Sequence, residues 1–81
     1  MKPTIGRIVV YNTTEEEKQA LWKLGNNRQD KLPAVIVAVW GESEDSCVNL
    51  KVIVDGPHPD LWKTSIQRGD QPGGWNWPEK V

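Results

Sequence analysis

Phenylalanine is missing from this 81-residue chain, and cysteine, histidine, methionine and tyrosine occur once each. The single Cys47 can close no disulfide within the chain, which excludes the oxidised, stapled framework of many small secreted domains. Cys47 and His58 cannot supply the ligand set of a zinc site. His58 stands between two prolines in a tight turn, a place for a solvated residue rather than a general base. Cys47, at a strand start, reads as a semi-buried, inert thiol. No Gly-rich loop opens a helix, so no phosphate cradle of that kind is expected. Glu42, Glu44 and Asp45 have the charge of a calcium loop without its spacing. Nothing marks out a pair of carboxylates for acid–base work. The expectation is no catalytic residue, no metal, no cofactor and a non-enzymatic role.

An excess of charge of one sign is lacking too. Lys and Arg total 10 against 11 acidic residues, a net charge of −1. That disfavours a nucleic-acid polymer, whose affinity comes mainly from neutralised phosphates, but leaves room for a single nucleotide. Long apolar runs are absent: residues 33–40 form the longest, far too short to span a bilayer. A soluble cytoplasmic protein with no membrane partner is expected. The length gives one domain, residues 1–81, which buries only somewhat more than about 60% of its unfolded surface. Total stability should be roughly 4–12 kcal/mol. A large internal cavity would remove much of that; a surface site, or one shared between identical subunits, costs far less.

The segments that are present alternate as a mainly β chain. Residues 5–11 (IGRIVVY) are rich in β-branched side chains and predict a first strand. Thr14 with Glu17 three positions on has the form of a capping box, predicting a helix over 15–24 with Ala20, Leu21 and Leu24 on its stripe, Glu17 in line and Gly25 as its stop. Trp22 lies off that stripe. Residues 26–32 read as a polar loop whose Arg28 and Lys31 form either a solvated connection or a basic flap. Residues 34–40 (AVIVAVW) are apolar on both faces and predict the central buried strand, with Trp40 in the core. An acidic turn joins them to residues 47–54, where Val48, Leu50, Val52 and Val54 alternate with polar positions, completing a hairpin. After a dense turn at 55–60 comes a strand over 61–66, with Trp62, Thr64 and Ile66 on one face, Lys63 and Ser65 on the other, and Trp62 read as core. A last short strand covers 75–77. Five short strands and one helix between the first two predict a small, partly open antiparallel barrel of the SH3-like kind.

Five Trp and no Phe is an unusual way to fill so small a core, because an indole adds a donor that wants a partner. Trp75 and Trp77 are two apart, so an extended backbone sends both rings to one side, and Pro78 confines the segment to a sheet edge or strand end. With Thr64 and Ser65 opposite, this edge reads as the wall of a binding site. Two stacking contacts at about 1–3 kcal/mol each, with a phosphate held by Arg68, Lys63 or Lys51, would reach micromolar affinity.

Residues 3–11 (PTIGRIVVY), 33–40 (PAVIVAVW), 47–52 (CVNLKV), 64–66 (TSI) and 72–78 (PGGWNWP) resemble short proteins of tailed bacteriophages and prophages that close on a Trp-x-Trp-Pro signature. The resemblance covers nearly the whole chain except the helix and following loop, which look like a variable insertion. It implies an origin in a phage genome, outside the virion core genes, and residence in the cytoplasm of an infected host. Several phage proteins of comparable size act as anti-defence sponges, oligomers that sequester the cyclic nucleotide signals of bacterial immunity without cleaving them. By analogy this chain is similar to that class. Three readings stand open: a homo-oligomeric sponge for a nucleotide such as a cyclic dinucleotide, bound by Trp75, Trp77, Thr64, Ser65 and Arg68; an adaptor that docks a host protein on the same aromatic edge; and a single-strand nucleic-acid module, which the charge disfavours.

Overall fold

The structure, a computed structural model, describes residues 1–57 and 59–79; His58, expected in a solvated turn, lies outside the described residues. Six elements follow one another: β1 (Ile8–Asn12), α1 (Glu15–Lys23), β2 (Lys31–Trp40), β3 (Cys47–Val52), β4 (Leu61–Ile66) and β5 (Trp75–Asn76). The strands make one antiparallel sheet in the order β4-β3-β2-β1-β5, curled into the SH3-like half-barrel that the sequence predicts. Two bulges help to curl it. Val37 is an extra residue on β2, between Ile36 and Ala38. On β4 the extra residue falls at Thr64 and Ser65, and Ser65 takes a left-handed φ of 54°. Such an insertion bends its strand and raises its twist.

The capping box is formed as expected. Thr14 Oγ1 accepts from the Glu17 N–H at 3.2 Å, and the Glu17 carboxylate accepts from the Thr14 N–H at 2.8 Å. Past the helix end, Gly25 adopts a φ of 88°, which only glycine takes without strain. The apolar stripe is narrower than predicted: only Leu21 is buried, and Ala20 and Leu24 are exposed. Strand limits differ for local reasons. β1 begins at Ile8 rather than residue 5, because the Arg7 N–H turns back to the Thr4 carbonyl at 3.2 Å. β2 begins at Lys31, since Lys31 and Leu32 pair with Asn12 and Tyr11. Pro33 is accommodated where β3 has already ended, its carbonyl accepting from the Ile53 N–H at 2.9 Å.

The core lies on the concave side, where Val9, Tyr11, Leu32, Ile36, Leu50 and Trp75 are among the residues that close around Leu21 of α1. A nine-residue helix can cover one side of a five-stranded sheet, and it covers this one. β2 is therefore not buried on both faces: its outward residues run from half-buried Val35 and Ala38 to exposed Val37 and Trp40.

Candidate functional site

The C-terminal segment returns to the sheet through residues 67–74. Gly74 is tight because an added Cβ would meet the Gly69 carbonyl oxygen at 2.7 Å, and its own carbonyl accepts from the Asn12 N–H at 2.9 Å. That approach sets Trp75 opposite Tyr11, on the inward face of β1. The Trp75 ring is 0% exposed, and Trp77, half-buried, meets it edge-on at 5.5 Å and 84°. Both rings thus pack on the core side, as their spacing of two requires, but this is the inside. Trp75 plugs the barrel and presents no stacking face, a correction to the predicted wall. Neither indole N–H has an acceptor among the described residues.

The other sequence candidates scatter. Arg68 has its guanidinium 5.9 Å from the centre of the Trp75 ring and donates to Asp45 at 3.2 Å and the Glu44 carbonyl at 3.3 Å, so its charge ties the β2–β3 turn to β5. Lys63 points inward with Leu61 and pairs with Glu17. The bulge undoes the predicted alternation on β4, so Thr64 and Ser65 are both exposed, and both bond Asn49. Lys51 stands exposed on the outer face of β3. The structure brings Thr64 and Ser65 together; Trp75, Arg68 and Trp77 form a second group at the other edge.

Under the helix, Glu17 gathers Lys63, the Tyr11 hydroxyl at 2.8 Å and the Thr14 N–H. Burial alone would raise its pKa, but the bonds from Lys63, Thr14 and Tyr11 outweigh that and hold the carboxyl below the usual range. Burial, and then the Glu17 bond, push the Tyr11 phenol up, so it stays a neutral donor. This cluster anchors α1 to the sheet.

Across the outer face, residues stand in cross-strand rows. Ile8 pairs with Val35, Val35 with Lys51, and Lys51 with Trp62; the adjacent row carries Val10, Pro33 and Ile53. Trp40 and Trp62, both expected in the core, are each 57% exposed here, and Ile8, Val37 and Ile53 are exposed on the same face, with Lys51 between Val35 and Trp62. Trp40 is held by its Nε1, which donates to Asn49 Oδ1 at 2.9 Å. One sequence signal pointed to this face: residues 34–40 are apolar on both sides, yet the single predicted helix can cover only one.

Near the β5 edge an open groove of about 640 Å³ is lined by Ile8, Val10, Lys31, Asp70, Trp77 and Glu79, with others. Lys31 is there outnumbered by Asp70 and Glu79, so the groove offers an anionic ligand no net attraction. Comparison with protein-family models, curated proteins and solved structures returned no match to this chain.

Proposed function

We propose that this is a phage-encoded, non-enzymatic binding protein that works in the host cytoplasm by docking a protein surface on the outer face of its sheet. The observation that carries the reading is the pair of half-exposed indoles, Trp40 and Trp62, on a sheet face that also carries Ile8, Val35, Val37 and Ile53, with Lys51 next to Trp62. Trp is enriched among the few residues that dominate interface energies, because one side chain offers a wide apolar face and a donor. The Trp40 donor is already bonded to Asn49, so burying that ring leaves no orphaned N–H. The phage origin rests on the sequence resemblance.

The test is capture from a host lysate on immobilised wild type, Trp62→Glu and Trp22→Glu. Trp22 is also exposed, but on α1, with Arg28 4.9 Å over its ring. A stoichiometric protein, including the chain itself, that is held by wild type and Trp22→Glu and lost by Trp62→Glu is the expected outcome. Equal capture by Trp62→Glu contradicts the reading.

The nucleotide-sponge reading keeps one specific support. Lys51 stands beside Trp62 on the same face, with Thr64 further along β4, so a flat base, a phosphate and a hydroxyl contact are all available there. A melting-temperature rise with a cyclic dinucleotide that disappears in Lys51→Ala would favour it over protein docking.

A further inference from the structure

We propose that the groove beside β5 holds an extended peptide segment that carries an arginine. The inference goes beyond the docking reading, because neither Trp40 nor Trp62 lines this groove. It begins with the main chain. On β1, Val10 faces Asn76, and the Asn12 N–H donates to the Gly74 carbonyl at 2.9 Å. Residues two apart on a strand point their backbone groups the same way, so Ile8 turns its N–H and C=O toward Pro78. Proline has no N–H to give. The chain has by then left the ladder, since the Trp77 N–H turns back to its own Asn76 Oδ1 at 2.9 Å. One rung of β1 is therefore open, its donor and acceptor both without a partner among the described residues. Open rungs on a sheet edge are where an added strand makes its first hydrogen bonds.

The groove at that rung has the size and lining to take side chains. Its volume of about 640 Å³ falls within the roughly 300–1,000 Å³ of ligand clefts. Ile8, Val10 and Pro33 make it apolar, and the half-buried Trp77 adds an indole. Charge then selects the occupant. Asp70 and Glu79 bring two exposed carboxylates to the lining. Asp70 accepts from the neutral Asn76 amide at 2.8 Å, which leaves its charge uncompensated. Glu79 has no ion-pair partner among the described residues. Lys31 offsets one of these charges at most, because it also acts on the Asp30 carboxylate beside it. A guanidinium suits what remains. Its planar fork donates to a carboxylate through two parallel bonds while its face stacks on an indole, whereas a lysine ammonium is only a point charge. An acidic side chain in the same place would meet charge of its own sign.

Titration of the whole chain with the end-capped peptide TVRVT, followed by amide NMR spectra, tests it against the same peptide with lysine or glutamate at the centre. The arginine peptide is expected to bind roughly tenfold more tightly than the glutamate peptide, with the lysine peptide between them. On binding, the Ile8 amide should shift and exchange its hydrogen more slowly, because its N–H gains an acceptor. The double variant Asp70→Asn with Glu79→Gln, at exposed positions, should keep the spectrum of the folded chain and weaken the arginine peptide roughly tenfold. Trp62→Glu should leave peptide binding unchanged, so this result and the docking reading stand or fall separately. The inference is overturned if the arginine peptide fails to bind up to about 1 mM, if the glutamate peptide binds as well, or if binding leaves the Ile8 amide unmoved.

Discussion

Asn49 gathers three donors on one oxygen: Trp40 Nε1 at 2.9 Å, the Thr64 hydroxyl at 3.0 Å and the Ser65 N–H at 2.9 Å. It fills the β4 bulge, satisfies the backbone of its left-handed residue and fixes the angle of an exposed indole, so one side chain links a backbone irregularity to the outer face. Asn49→Ala leaves the Ser65 N–H without this acceptor and should cost roughly 1–3 kcal/mol, while Asn49→Asp, which keeps it, should cost clearly less. Thermal unfolding of the two variants checks this, and equal melting temperatures would contradict it. Trp75 behaves differently. Truncating so large a buried ring costs about 3–5 kcal/mol, a large share of the stability of a chain this small. Lost binding in Trp75→Ala would therefore report unfolding, which is why Trp62 is the residue to change.

Helix α1 is held to the sheet by one apolar side chain, Leu21, and one polar cluster around Glu17. The Glu17 pKa is depressed in the folded protein, so the stability it contributes is present above the unfolded value of about 4.3 and is lost as pH falls through the folded value. Asp30 and Glu44, also depressed by their partners, share that sign, so the comparison of wild type with Glu17→Gln isolates the one group. Gln keeps an acceptor for Tyr11 and Thr14 but loses the charge facing Lys63. Near pH 7 the variant should melt several degrees lower, and the gap should close as the pH drops below about 4; a gap that persists in acid contradicts the assignment. At this scale the sequence was highly readable. The capping box, the β2–β3 hairpin and the alternation of β3 are local patterns, and local hydrogen bonding enforces them. The β4 faces were not readable, because a bulge shifts every side chain beyond it and nothing in residues 64–66 announces a left-handed Ser65. The site fared worse: period-two spacing put Trp75 and Trp77 on one side, as they are, but cannot tell the core from solvent.

In the whole molecule, the exchange of roles among the tryptophans matters most. Of the two indoles expected to bind, Trp75 is sealed at 0% exposure and Trp77 is half-buried, while the two expected in the core stand on the surface. The cause is simple counting of layers. Five strands and one short helix make two layers, so one sheet face stays open, and β2 is apolar on that face as well. A sequence that spends Val35, Val37, Trp40, Ile53 and Trp62 on an open face is consistent with a third layer supplied from outside the chain. The most direct measurement is hydroxyl-radical footprinting of the tryptophans, comparing the protein inside expressing bacteria with dilute purified protein. If the outer face is the working surface, Trp40 and Trp62 are oxidised several-fold more slowly in the cell while Trp22 on α1 reacts at a similar rate in both. Equal oxidation of Trp40 and Trp62 in the two settings would contradict the account.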